Sequence, residues 1–251
     1  MDYHKTSLKD FENIGQPIRQ RARDFFLYSS YMTENRQNNY RLALESGTGA
    51  SITLNQKNDF GENDFIGFIS NDYLGFSHHP KVLEAGREAL YKYGAGAGAS
   101  PLIGGLLDIQ QNLEHKIASF FRREDAITFT SGFGTNAGVL STLLGQSDLA
   151  ILDMFVHASV IAGCSQTNVK RFLHNDIANL EYILETTSNK YANRVIVVDG
   201  VYSQDGDIAP LDKICKLAKS YDAFLIVDDA HGIGIWGDTG RGVLESYSAL
   251  G

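Results

Sequence analysis

The residues best suited to chemistry follow the most apolar run of the sequence, 224–227, where Asp228-Asp229-Ala230-His231 begins. A carboxylate that emerges from such a run lies in a low-dielectric setting, where its charge is costly unless it meets a cation. A protonated heterocyclic nitrogen of a cofactor would supply that cation for Asp228, and His231 can point into the same pocket. The alternative is an ion pair between Asp228 and a Lys or Arg of a neighbouring loop.

A segment rich in glycine and hydroxyl groups, residues 130–136, joins a predicted strand to a predicted helix. Glycines and small hydroxyls at a helix start leave backbone N–H groups free to hold a phosphate. A plain turn in which Ser131 or Thr135 caps the helix is the favoured interpretation of this segment taken alone.

Two further polar segments follow apolar runs. Residues 199–207 contain two glycines, which permit unusual backbone dihedrals and the close approach of a ligand, although a solvated loop has the same composition. His157 opens a helix after the run 149–152. Its imidazole either stacks on a flat cofactor or caps the helix, and the sequence alone leaves both interpretations open.

Other motifs fail on their context. Residues 94–99 fit the dinucleotide pattern G-x-G-x-x-A but follow a helix instead of a strand. The order Ser131, Asp199 or Asp228, His231 matches an α/β-hydrolase triad, yet Phe129 stands where the nucleophile elbow needs glycine. Without a His-Glu-x-x-His, paired Cys-x-x-Cys or calcium-loop pattern, no metal site is predicted.

The elements that must position these residues alternate along the chain after residue 105. Segments with helical periodicity are 108–123, 133–144, 158–164, 177–185 and 211–221, and the short apolar runs are 126–130, 149–152, 169–173, 194–199 and 223–228. An earlier helix is predicted over 80–93, where it opens at Pro80. This alternation predicts an α/β fold, with a mainly parallel sheet of the seven-stranded type sandwiched by helices. Ligands of such sheets bind beyond the carboxyl ends of the strands.

A different texture precedes this region. Residues 8–32 are helical and charged, with a break or start at Pro17, and short alternating runs between residues 40 and 70 predict a small antiparallel β-meander. We therefore expect an N-terminal helical arm and meander in residues 1–62, followed by a large domain in residues 63–251.

Composition narrows the class of protein. The 251 residues carry a formal net charge of −8, which argues against a nucleic-acid surface. Two cysteines cannot form a disulfide framework and favour a reducing compartment. No run approaches the roughly 20 apolar residues of a membrane span. These observations predict a cytoplasmic protein with no membrane span and no nucleic-acid partner.

Seven stretches, taken in order, resemble the α-oxoamine synthase family of pyridoxal-phosphate enzymes, whose fold is the aminotransferase class I/II fold, or fold type I. The matching stretches are Ser70-Asn71-Asp72-Tyr73-Leu74-Gly75, Tyr93-Gly94-Ala95-Gly96, Ser131-Gly132-Phe133, His157-Ala158-Ser159, His174-Asn175-Asp176, residues 199–207 and Asp228-Asp229-Ala230-His231. Each stretch is weak alone, and their shared order makes the resemblance strong from about residue 8 to the end.

The resemblance implies a role for each matching residue. Gly132 and Phe133 would hold the phosphate of pyridoxal 5'-phosphate (PLP) through their backbone, and His157 would stack on the pyridine ring. Asp228 would pair with the pyridinium nitrogen, which keeps the ring an electron sink. The remaining roles are those of Ser203 and His231 on the phenolic side of the ring, and of Asn71 near the carboxylate of the amino-acid substrate.

The same resemblance implies an activity and partners. Members condense an amino acid with an acyl thioester, on CoA or an acyl-carrier protein, and release the amino-acid carboxylate as carbon dioxide. They act as homodimers whose N-terminal arm embraces the partner. Another fold-type-I enzyme, such as an aminotransferase, is the alternative activity. Pro101, Gln110 and Gln204 depart from common family residues on the substrate side, so the amino acid and the thioester stay open.

None of the lysines in the sequence matches the family's Schiff-base lysine, which would lie beyond Gly251. Three explanations stay open. The chain is part of a longer polypeptide, which we favour, or it is a lysine-free subunit that partners a complete one. The third explanation is that the resemblance extends only to the fold and that the ligand is another phosphate compound.

Overall fold

The computed structural model describes residues 6–11, 15–37, 41–58 and 61–247, which form two compact units, 1–72 and 73–251. In the first unit, α1 (Ile18–Glu34) begins directly after Pro17, as predicted, because proline fixes a backbone angle compatible with a helix start. The strands β1 (Ser51–Thr53) and β2 (Asp64–Ile66) pair antiparallel. Of the predicted run at residues 40–44, Tyr40 lies outside the described residues and Leu44 forms an isolated antiparallel bridge with Leu54, so the predicted meander is present in short form. The structure's units divide at residue 72, and the boundary at residue 62 stays a prediction of domain organisation.

The second unit contains a four-stranded parallel sheet in the order β4-β3-β5-β6. Its strands are β3 (Leu149–Asp153), β4 (Asn168–Phe172), β5 (Arg194–Asp199) and β6 (Phe224–Asp228). The central strands β3 and β5 are buried on both faces, as their continuous apolar runs predicted. Asp199 and Asp228 are Cα partners in the register, so the last residues of β5 and β6 lie side by side.

Helices cover both faces of this sheet. The helices that contribute to the core on these faces are α4 (Gly132–Leu143), α5 (Ala158–Gly163), α6 (Ile177–Thr186), α7 (Leu211–Ser220) and α8 (Val243–Ser246). Two helices precede them along the chain, α2 (Pro80–Tyr93) and α3 (Asp108–Phe121). Alternate strand residues divide the core: Leu149 and Ile196 pack with α6 and α7, whereas Ala150 and Val195 pack with α4 and α5. The predicted α/β class, a parallel sheet sandwiched by helices, is confirmed.

The predicted strand at residues 126–130 is wrong. None of the described strands pairs with it, and the side chain of Ile127 is 73% exposed. The backbone N–H of Thr128 donates instead to the Glu114 carboxylate of α3, at 2.8 Å. An apolar composition does not make a strand without a neighbouring backbone to pair with, so the described part of the sheet has four strands where a seven-stranded type was expected.

No helix among the described residues is long and apolar enough to span a membrane.

Candidate active site

The first part of the site is the start of α4. Ser131 is the N-cap, and its Oγ accepts a hydrogen bond from the backbone N–H of Gly134 at 3.0 Å, so the predicted capping role is confirmed. Gly132 and Phe133 are the first two residues of the helix, whose N–H groups have no acceptor within it. A Cβ added to Gly132 would meet no atom within 4 Å. The helix start therefore offers free donors beside open space.

The second part is His157, which caps the next helix on this side of the sheet. Its Nδ1 accepts from the backbone N–H of Ser159 at 3.2 Å and lies 2.7 Å from the Ser159 hydroxyl. The capping interpretation of His157 is thus confirmed, whereas stacking on a cofactor stays a prediction. The Phe133 ring lies edge-on to the imidazole, with centroids 6.3 Å apart. The histidine therefore stands close to the start of α4.

Asp228, at the end of β6, is held by neutral donors. Its Oδ2 accepts from the Asn136 side chain at 2.6 Å, and its Oδ1 accepts from the Ala230 backbone at 3.1 Å. The same Asn136 amide donates to Ser159 at 2.9 Å, so one side chain joins the Asp228 and His157 regions. Among the described residues, no lysine or arginine forms an ion pair with Asp228. The ion-pair alternative for this carboxylate is not observed.

Two more carboxylates stand beside Asp228. Burial, followed by the charge of Asp228, raises the pKa of Asp199 to about 7. Burial likewise raises the pKa of Asp229 to about 6, and one of its oxygens is buried without a hydrogen bond in the described structure. Three neighbouring acids without a paired cation make additional negative charge unfavourable, so this edge of the sheet favours the binding of a positively charged group.

A cavity of about 180 Å³ opens between the segments that follow β5 and β6. It is lined by Tyr73, Val201, Tyr202, Ser203, Gly206, His231, Ile235 and Trp236. His231 Nδ1 lies 2.7 Å from the Tyr73 hydroxyl. The structure thus brings two predicted site residues, Ser203 and His231, to one cavity with a phenol beside them.

The predicted site residues fall into three groups. Phe133, His157 and Asp228 are linked through ring contacts and hydrogen bonds. Ser203 and His231 share the cavity. Asn71 lies in an exposed bend of the first unit, and its role toward a substrate stays a prediction.

Three functional candidates were not singled out by sequence: Asn136, Ser159 and Tyr73. The first two lie within segments whose neighbours were singled out, one in 130–136 and one two residues after His157. A polar side chain on the first turns of α4 and α5 is the signal that could have found them. Tyr73 is 158 residues from His231, and only the fold brings the two together.

Comparisons with known proteins identify the family of the chain. Residues 63–249 match the family model of aminotransferase class I and II. The chain is 44% identical over 210 residues to 8-amino-7-oxononanoate synthase 1 of Bacillus subtilis (strain 168), covering 83% of this chain and 52% of that protein. It therefore spans about half the length of the curated relatives it matches.

Solved structures give the same result. A serine palmitoyltransferase of S. paucimobilis, in a structure that contains PLP and myriocin, superposes with a TM-score of 0.86 at 30% identity, covering 94% of this chain and 60% of that one. An 8-amino-7-oxononanoate synthase of Francisella tularensis superposes with a TM-score of 0.61 at 34% identity, covering 72% of this chain and 50% of that one.

Proposed function

The chain belongs to the aminotransferase class I and II family and has the fold of the α-oxoamine synthases, and from this premise we propose that it binds PLP for carbon acylation of an amino acid. In that reaction an acyl group moves from a thioester, on CoA or an acyl-carrier protein, to the α-carbon, and the amino-acid carboxylate leaves as carbon dioxide. The alternative activity of the same fold, transamination, is an outcome of the experiment below.

The observation that carries this proposal is the Asp228 carboxylate. It lies at the carboxyl end of a parallel strand, accepts hydrogen bonds only from an amide side chain and a backbone N–H among the described residues, and has two further acids as neighbours. Asp228 is partly buried, and a carboxylate that is partly removed from water and has no ion-pair partner favours a cation beside it. The protonated pyridine nitrogen of PLP has the required charge and a hydrogen to donate.

The other end of PLP fits the start of α4. The N–H groups of Gly132 and Phe133 are free donors at a helix N-terminus, where the helix dipole also favours an anion. The open space beside Gly132 leaves room for a phosphate group. The residues present therefore fit both charged ends of the cofactor.

When bound, PLP would supply an electron sink for the α-carbon of the amino-acid substrate. Asp228, whose orientation is fixed by Asn136, would hold a proton on the pyridine nitrogen. His157, whose imidazole is oriented by the Ser159 hydroxyl, would cover one face of the ring. Ser203 and His231 would donate hydrogen bonds on the phenolic side, with Tyr73 orienting the imidazole.

The names of the relatives suggest two substrate pairs. The name of the curated relatives gives the product, 8-amino-7-oxononanoate, which has an amino group on carbon 8 and a ketone on carbon 7. The bond between these two carbons joins the parts that come from the two substrates. One part is a seven-carbon acyl group with a terminal carboxylate, and the other is alanine without its carboxyl group. Serine with a palmitoyl thioester is the pair suggested by the solved structures. Since the curated relatives have the higher identity, we propose alanine with the seven-carbon thioester.

The test is to supply the full-length protein with PLP and each pair in turn, and to measure free thiol and carbon dioxide. The proposal predicts that both products form in a 1:1 ratio with alanine and the seven-carbon thioester, and far more slowly with serine and the palmitoyl thioester. A 2-oxo acid formed without thiol release would indicate an aminotransferase instead. Binding of PLP without either reaction would refute the acylation while leaving the cofactor in place.

We also propose that the protein is a cytoplasmic homodimer. The free, unpaired state of Cys164 and Cys215 supports a reducing compartment. Large apolar side chains on neighbouring segments of the second unit are exposed, including Leu102 at 93% and Ile103 at 78%. Surfaces of this kind are typical of subunit interfaces. Sedimentation at micromolar concentration tests the dimer, and a monomer would contradict it.

A further inference from the structure

A second set of acids stands at the same sheet edge with a histidine between them, and we call Asp153, His174 and Asp207 the His174 cluster. Asp153, at the end of β3, is fully buried. His174 follows β4, and its Nδ1 lies 2.8 Å from Asp153 Oδ1 while its Nε2 lies 2.7 Å from Asp207 Oδ2. The imidazole therefore joins a strand end to the loop that follows β5.

The hydrogen bonds fix the protonation of this cluster. Asp153 also accepts from the backbone N–H groups of Phe155 at 2.8 Å and Asn175 at 2.9 Å, so both of its oxygens act as acceptors. An ionised carboxylate can only accept, and both ring nitrogens of His174 must then donate. Burial opposes a charged ring, but the bonds to the two aspartates outweigh it and raise the pKa of His174.

The ring is also fixed in orientation. It stacks on Phe155 with centroids 4.3 Å apart and meets Tyr202 edge-on at 4.4 Å. Asn175 adds a second donor to Asp207 Oδ2 at 2.8 Å. The Asp207 carboxylate is thereby bound from two adjacent residues of the segment after β4, and a single conformation satisfies all of these contacts.

Asp207 belongs to the loop that borders the cavity. Tyr202 donates its backbone N–H to the Asp207 carbonyl at 3.0 Å, and Gly206 donates to the Tyr202 carbonyl at 2.8 Å. Residues 203–205 form the tip that these bonds close, and Ser203 and Gly206 both line the cavity. Any movement of Asp207 therefore moves the cavity wall.

We propose that His174 and Asp207 are positioning residues, which clamp the 200–209 loop to the ends of β3 and β4 and so set Ser203 at the cavity. Neither residue lines the cavity, and neither needs to touch a ligand. The clamp stands on contacts within the chain, and only its effect on a ligand rests on the proposed function.

The experiment compares three single variants of the full-length protein. Asp207→Ala removes the carboxylate that the clamp holds, and Asp207→Asn keeps an acceptor oxygen and should rescue most of the effect. Asp205→Ala removes the same charge from an exposed position two residues away and is the matched control. The two readouts are hydrogen exchange at the Tyr202 and Gly206 amides without ligand, and the dissociation constant for PLP by equilibrium dialysis.

Loss of hydrogen bonds to a charged group is expected to speed amide exchange in Asp207→Ala by about 10- to 100-fold, since 1.4 kcal/mol corresponds to tenfold. The PLP dissociation constant should rise at least about fivefold. Asp205→Ala should match the unchanged protein in both, and Asp207→Asn should lie closer to the unchanged protein than to Asp207→Ala.

Unchanged exchange in Asp207→Ala would overturn the clamp, and so would faster exchange with unchanged PLP affinity, because the loop would then not set the cavity. An equal effect of Asp205→Ala would also overturn it, since charge alone would be responsible. Failure of the unchanged protein to bind PLP would refute the proposed function, and the exchange data would then decide the clamp by themselves.

Discussion

Two groups of carboxylates at one edge of the sheet differ in their compensation. In the His174 cluster, an imidazole with a raised pKa lies between Asp153 and Asp207, with one ring nitrogen within hydrogen-bond distance of each carboxylate. In what we call the Asp228 cluster, Asp199, Asp228 and Asp229 stand together, and no lysine or arginine pairs with them among the described residues. The carboxylates thus share one basic partner in the first cluster and have no such partner in the second.

This difference distinguishes a carboxylate with a structural role from a carboxylate in a ligand-binding site. A buried carboxylate with its own cation needs nothing more from outside the chain, and it fixes the segments that supply it. A buried carboxylate without a cation has a raised pKa, as Asp199 has, and it favours the binding of a cationic group. The missing counter-charge is therefore the better indicator of a ligand site.

The largest expected effect comes from His174→Phe, which keeps the ring stack and removes both donors. Asp153 then remains buried without its imidazole partner, so we expect a loss of about 3–5 kcal/mol in the free energy of unfolding, measured in urea. The matched change in the other cluster, Asp228→Asn, removes a charge that has no cation, and we expect a change within about 1 kcal/mol or a gain. Equal losses in both variants would remove the distinction between the clusters.

The next effect is a change in pH dependence. The pKa of Asp199 is raised to about 7, so the folded protein holds a proton there that the unfolded chain releases near pH 4. The stability from this group is present below about pH 4 and is lost as pH rises through about 7. Between pH 5 and 8, the free energy of unfolding should therefore decline by about 2–3 kcal/mol less in Asp199→Asn than in the unchanged protein. His174 and Asp229 titrate in both proteins, and an identical pH profile of the two would contradict the assignment.

A packing variant tests the comparison further because it would displace Asn136, which donates a hydrogen bond to Asp228. A Cβ on Gly163 would lie 2.8 Å from both the Asn136 carbonyl and the Leu140 Cβ, so α4 and α5 must separate in Gly163→Ala. We expect a loss of about 1–3 kcal/mol in denaturant unfolding and weaker PLP binding, because Asn136 shifts from Asp228. Gly86→Ala, which has open space around it, is the control, and an equal loss there would indicate a general helix effect.

The smallest effect is expected at Tyr202. Its hydroxyl is buried without a hydrogen bond of ordinary geometry within the described structure, although burial and the neighbouring Asp153 raise its pKa and its ring packs on His174. Tyr202→Phe keeps the ring and should change the free energy of unfolding by less than about 1 kcal/mol. A loss above about 2 kcal/mol in urea would mean that the hydroxyl is part of the His174 cluster.

Much of the fold could be predicted from sequence because its signals are local. Arg194–Asp199 is apolar on both faces, and Pro80–Tyr93 begins at a proline, so both elements have the predicted bounds. The position of Asp228 at the end of a strand was also predicted from sequence, since an apolar run ends directly before it.

The contacts between elements could not be predicted. The order β4-β3-β5-β6 brings Asp153, His174 and Asp207 together, and nothing in their spacing of 21 and 33 residues indicates it. The same holds for Asn136, which is 92 residues from Asp228. The error at 126–130 has a related cause, because strand formation depends on a partner that composition does not reveal.

The most direct test of the central claim changes the ligand instead of the protein. The pyridine nitrogen of PLP is replaced by carbon in the 1-deaza analogue, which cannot carry the proton that Asp228 is proposed to hold. By equilibrium dialysis with the full-length protein, we expect PLP to bind about 30-fold or more tightly than the analogue, and Asp228→Asn to lose most of this preference. Equal binding of the two compounds by the unchanged protein would contradict the account.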